Sequence, residues 1–173
     1  FEGDNFSLWN YLDIHGNWTA PWIRCSAGLA DVAAKNGVKV GTLMSIPWQV
    51  RINLNWGSGT HETTLRKLTD KNSQGKYKYA AKLVQYMKYY GVNGIGVNSE
   101  FVSDPNSMDR LINFFAECHQ EGKKQDWDFQ VYWYDGTKSS GSITFDAGLG
   151  EHNIKMFGTS ERPVTDMLFF NYG

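Results

Sequence analysis

Short apolar runs the length of buried strands alternate along this chain with stretches whose apolar residues recur at helical spacing. That alternation constrains the fold more than any other feature. Val38 to Ile46 is nearly all apolar, as in a sheet covered on both faces. Tyr79, Leu83, Val84, Met87 and Tyr90 then mark one face of a helix over Tyr77 to Tyr90, and Gly91 is placed to end it in a left-handed conformation. Val92 to Val97 reads as the next strand and runs out onto Asn98 and Glu100. Asp104 and Pro105 open a helix as cap and first-turn residue, with Met108, Leu111, Ile112, Phe115 and Cys118 as its buried stripe and Gly122 just past its end. Phe129 to Tyr134 is a fourth strand.

The flanks extend the pattern. Phe6 to Ile14 has the apolar content of a strand, Pro21 to Asn36 reads as a helix stopped by Gly37, and Met167 to Asn171 as a last strand. Pro47 to Glu62 is a long connection carrying Trp48 and Trp56, of a length usually reserved for function or disorder. Ser142 to Phe145 and Ile154 to Phe157 stay unassigned.

Strand and helix in alternation imply parallel strands joined by right-handed crossovers. No glycine fingerprint for a dinucleotide follows the first strand. Polar groups recur where strands end: His15, Ser45, Asn98 with Glu100, Tyr134 with Asp135, and Asn171 with Tyr172. That recurrence fits an α/β fold of the (β/α)8, TIM-barrel type with its site at one mouth. About six strands are visible where such a barrel has eight and about 250 residues. The expectation is one barrel domain over residues 1–173, belonging to a larger catalytic module with flanking segments.

A net charge of −1 without like-charged blocks points to neither nucleic acid nor an anionic membrane. The apolar runs fall far short of a bilayer span. The sequence does not open on a charged-then-apolar stretch, so any export signal is expected to have been removed or to lie outside it. Cys25 and Cys118 read as two buried thiols rather than a bridge. His61, His119 and His152 show no ligand spacing, so neither a metal site nor a cofactor is expected. Asn5-Phe6-Ser7 and Asn17-Trp18-Thr19 match the glycosylation triplet, a pattern that chance often produces. Trp18, Trp48 and Trp56 sit among Gly, Ser, Asn and Pro, where aromatic faces suit the apolar faces of sugar rings.

Asn98 and Glu100, two apart on a strand, share a face. Most glycosidases use two carboxylates, yet here the partner position holds an amide. An amide is no nucleophile, but it can orient a 2-acetamido group whose own carbonyl oxygen attacks the anomeric carbon. A distant carboxylate such as Asp135 remains an alternative.

The run Tyr89-Tyr90-Gly91-Val92-Asn93-Gly94 leading into Val97-Asn98-Ser99-Glu100, together with Val131-Tyr132-Trp133-Tyr134-Asp135, resembles the glycoside hydrolase family 85 endo-β-N-acetylglucosaminidases. Ala34 to Thr42 and Phe170-Asn171-Tyr172 add to the likeness, which spans most of the chain. The resemblance implies cleavage between the two core GlcNAc residues of N-linked glycans, with retention, through an oxazolinium intermediate. It implies Glu100 as general acid/base, Asn98 as the residue holding the acetamide, and Tyr134 as its neighbour. His15, Trp48, Trp133, Asp135, Asn171 and Tyr172 would be substrate contacts. Such substrates suggest a secreted or periplasmic protein, with a cytoplasmic one also open.

Two departures stand out. The family usually has Asp where this chain has Asn93, which takes one acidic group from the expected neighbourhood of the site, and the family's aromatic pair after Asn-Tyr is not in this sequence. The related family 18 enzymes carry aspartates where this chain has Asn93, Gly96 and Asn98. An aberrant chitinase-like hydrolase and a non-catalytic, lectin-like glycan-binding barrel are the competing readings.

Overall fold

The computed structural model describes residues 6–16, 23–24, 26–46, 52–54, 57–59, 61–144 and 148–170. In chain order the elements are β1 (Ile14–Gly16), α1 (Ala27–Lys35), β2 (Lys39–Ile46), β3 (Ile52–Leu54), β4 (Gly57–Gly59), α2 (His61–Leu68), α3 (Ala80–Tyr90), β5 (Gly94–Ser99), α4 (Pro105–Lys124), β6 (Gln130–Tyr134), α5 (Ile154–Phe157) and β7 (Met167–Phe169). Five strands form one parallel sheet in the order β1-β2-β5-β6-β7. Each new strand lies beside the one before it, with no reversal of order. This is the path of a (β/α) barrel, here a half-barrel, and not of a doubly wound sheet. Among the described residues this sheet has five strands where the sequence suggests about six, and β3 and β4 pair as a separate antiparallel hairpin.

Local chemistry explains the boundaries. Asp104 caps α4, its carboxylate accepting the Ser107 backbone N–H at 3.0 Å, with Pro105 in the first turn. Gly91 ends α3 at φ +70°. The first stretch departs from expectation: Trp9–Tyr11 is a 3-10 turn and only Ile14–Gly16 pairs. Trp9 is buried there, and a bond from Tyr11 N–H to the Leu8 carbonyl replaces a ladder.

Alternation along the strands divides the sheet. One face carries Val40, Met44, Ile46, Ile95, Val97, Val131 and Trp133, which share a continuous core with Val84 and Met87 of α3 and Met108, Leu111, Phe115 and Cys118 of α4. Cys118 is a free, buried thiol, and burial pushes its pKa well up. Cys25 lies outside the described residues. The opposite face is concave and presents Gly16, Gly41, Leu43, Gly96, Asn98, Tyr132, Tyr134, Met167 and Phe169.

Candidate active site

A cavity of about 800 Å³ runs along that concave face. Its floor is built on glycine. The register places Gly16 beside Gly41 and Gly41 beside Gly94. A Cβ at Gly94 would stand 2.1 Å from Cε2 of Tyr132, and one at Gly41 would stand 3.0 Å from the same atom. The Tyr132 ring therefore lies flat across the sheet where side chains are missing. Its hydroxyl donates to Gln130 Oε1 at 2.6 Å. Burial first, then the charges of Asp166 and Asp128, push the Tyr132 hydroxyl above its ordinary pKa, so it stays protonated.

The upper wall is polar. Ser45 pairs with Asn98, and Val97 pairs with Trp133, so one residue further Asn98 stands level with Tyr134. Asn98, Glu100 and Tyr134 all line the cavity. The Asn98 amide donates from Nδ2 to Glu100 Oε2 at 3.2 Å. That bond fixes the amide's orientation, so its Oδ1 is the atom left to accept a hydrogen bond from a ligand.

Among the described residues lining the cavity, the only other carboxyl is Asp13. The register sets Ile14 level with Lys39 and Gly41 level with Gly94, so Asp13 lies roughly nine residues below Glu100. At about 3.3 Å per residue that is on the order of 30 Å. Paired catalytic carboxyls stand about 5–9.5 Å apart in glycosidases. Asp13 is therefore no partner for Glu100.

Several residues expected in the site sit elsewhere. His15 lies between Ile14 and Gly16, which line the cavity, so it faces the other way and packs against Phe6 and Trp9 at 5.7 and 5.6 Å. Trp133 precedes Tyr134 on one strand and points into the core, fully buried, its Nε1 donating to the Thr137 carbonyl at 3.3 Å. Asp135 is likewise fully buried: Lys138 Nζ lies 2.9 Å from its Oδ1, and the Asn153 amide donates to its Oδ2 at 3.2 Å. It is an ion-paired structural group, not a second carboxylate of the site. Trp48, Asn171 and Tyr172, with Trp18 and Trp56, lie outside the described residues.

Asn93 also changes meaning. It sits five residues before Asn98, about 16 Å away at strand rise. There its Oδ1 accepts the Val40 N–H and its Nδ2 donates to the Asp128 carbonyl, each at 3.3 Å. The amide at this position ties strands together at the end of the barrel opposite Glu100. Asn93 is not among the described residues that line the cavity, and its amide acts there on packing.

Tyr11, Leu43, Tyr132, Met167 and Phe169 line the cavity without having been singled out from the sequence. Stepping back by two from Tyr134 would have found Tyr132. Among the described residues, no group of three or more His, Cys, Asp or Glu side chains is arranged to hold a metal ion, and no helix is long and apolar enough to cross a membrane.

The family model of glycosyl hydrolase family 85 matches residues 1–173. No curated protein matches the sequence. Among solved structures, the glycoside hydrolase domain of Endo-D from Streptococcus pneumoniae superposes with a TM-score of 0.82 at 22% identity, over 97% of this chain and 26% of that one. The chain thus spans about a quarter of that structure's length, and the likeness speaks to the fold. A sugar phosphate isomerase/epimerase from Parabacteroides distasonis covers 84% of this chain and 48% of its own at 10% identity, and its TM-score of 0.36 carries no argument.

Proposed function

The chain belongs to glycosyl hydrolase family 85, and from that premise we propose that it carries the acid/base wall of a retaining endo-β-N-acetylglucosaminidase acting on the GlcNAc-GlcNAc core of N-linked glycans. The observation that carries the mechanism is the pairing of Asn98 with Glu100 at one end of the cavity, with the nearest other described carboxyl of the lining some 30 Å away by strand rise. One acid and one amide suffice if the substrate supplies the nucleophile.

In the first step the Glu100 carboxyl gives its proton to the glycosidic oxygen as the bond to the anomeric carbon breaks. The 2-acetamido carbonyl oxygen forms the new bond to that carbon from the opposite side, giving an oxazolinium ring. The acetamide N–H becomes more acidic as this happens. Asn98 Oδ1, held by the bond from Nδ2 to Glu100, accepts that N–H more strongly in the transition state than in the ground state. Tyr134, level with Asn98 on the next strand, offers a hydroxyl beside the same group. In the second step the Glu100 carboxylate takes a proton from water, the water oxygen bonds to the anomeric carbon, and the ring opens with net retention.

The test is incubation with a high-mannose glycoprotein, watching for a mass shift that leaves one GlcNAc attached. Glu100→Gln is expected to abolish the shift while leaving glycan binding intact. Undiminished cleavage by Glu100→Gln refutes the assignment. A wild-type protein that, with flanking strands restored, binds the glycan and never cuts it establishes the lectin-like alternative.

A further inference from the structure

We propose that Thr137 is a positioning residue for Glu100, a role that rests on the acid/base reading given above. Glu100 stands just past the end of β5, where the sheet ladder no longer fixes the chain. Thr137 replaces it. The Thr137 N–H donates to the Ser99 carbonyl at 2.9 Å. Its Oγ1 accepts the Phe101 N–H at 3.1 Å and lies 2.6 Å from the Phe101 carbonyl and 3.0 Å from that of Ser99. With a single hydroxyl proton, the closer Phe101 carbonyl takes the donation, and the Ser99 carbonyl is already served by the backbone. The peptide units on both sides of Glu100 are therefore gripped by one residue. Ser99, Phe101 and Thr137 are all fully buried, so water is no substitute partner.

Thr137 is itself held rigidly. The loop after β6 folds into a hairpin with an antiparallel bridge from Thr137 to Ile143, and the Trp133 indole donates to the Thr137 carbonyl. Lys138, within that hairpin, pairs with the buried Asp135 just before it, and Ser103 N–H donates to the Gly141 carbonyl at 2.8 Å. A β-branched residue limits χ1, so the hydroxyl is aimed without a further partner. Tyr134 and the clasp leave the same strand end, with the Ser99 hydroxyl donating to the Tyr134 carbonyl. The acid, the tyrosine and the clasp are thus tied together at one end of the seam between β5 and β6.

Thr137→Val keeps the shape and removes the hydroxyl. For the folded full chain, kcat on the glycan is expected to fall roughly 10- to 100-fold with KM within about threefold, because a small misplacement of the acid costs rate and not binding. Hydrolysis of a preformed sugar oxazoline falls in the same proportion, since Glu100 acts in both steps. Thr137→Ser, which restores the donor and acceptor, recovers most of the lost rate on both substrates. Should Thr137→Val not fold, Thr137→Cys, with a poorer acceptor in the same place, takes over the comparison. A folded Val or Cys variant with wild-type kcat, or one altered in KM alone, overturns the role while Glu100 stands. A wild-type protein that leaves every glycan uncut removes the functional reading and the role with it.

Discussion

Replacing Lys138 with methionine removes one charge from a pair that water does not reach. Lys138 is 2% exposed and Asp135 fully buried, with Nζ 2.9 Å from Oδ1 and the Asn153 amide as the other side-chain partner of the carboxylate. Breaking a buried pair from one side costs about 3–5 kcal/mol, mostly through the charge left behind. With a urea m-value of about 2 kcal/mol/M, a loss of about 4 kcal/mol moves the unfolding midpoint down by about 2 M. Asp135→Asn strands the ammonium and should cost a similar amount. The double variant leaves no charge unpaired and should return to within about 1–2 kcal/mol of wild type, a strong non-additivity between residues in contact. The assay is urea unfolding of the four proteins followed by circular dichroism. Losses below about 1 kcal/mol in the single variants, or losses that simply add in the double, would refute the claim that the pair is a coupled, water-excluded unit.

Other outcomes follow from the floor of the cavity and from the long helix. Gly94→Ala should cost about 1–3 kcal/mol in urea unfolding, because its Cβ meets the Tyr132 ring, whereas Gly16→Ala, with nothing within 4 Å, should stay within about 0.5 kcal/mol. Asp104→Ala should lower stability by about 1 kcal/mol at pH 7 through loss of the α4 cap. The Ser107 hydroxyl, then its N–H, hold the Asp104 carboxyl below its ordinary 3.8, so folding favours the charged form. That contribution is complete above the ordinary value and fades as pH falls below it, and thermal melts of wild type and Asp104→Ala should converge at acid pH.

The sequence was most legible where local chemistry and apolar pattern agree. Asp104-Pro105, Gly91 and the runs around Val40, Ile95 and Val131 mark β2, α3, β5, α4 and β6 with little displacement. It was least legible where one contact carries an element. Helix α2 buries Leu65 almost alone, and the single turn of α5 buries Met156, so neither has a stripe to read. The stretch from Phe6 reads as a strand by composition, but its i to i+3 bonds turn it back on itself. In the site, Asn98 with Glu100 was readable because a two-residue step keeps a face, and both line the cavity although Glu100 lies one residue past β5. The same rule shows that Trp133 and Tyr134 could not both look inward. Asp135 was misjudged because its partner arrives three residues later through a turn, which no periodicity announces.

Asn98 leaves the end of β5 and Glu100 follows one residue past it, two residues apart on the same backbone. The distance between their backbones is therefore bounded by covalent bonds, while the aim of the acid rests on the Thr137 clasp. Tyr134 is held to them across the seam between β5 and β6, by the ladder and by the Ser99 hydroxyl on its carbonyl. Parting of that seam, whether thermal or over evolutionary time, would carry the tyrosine and the Thr137 clasp away from Asn98 and Glu100 together.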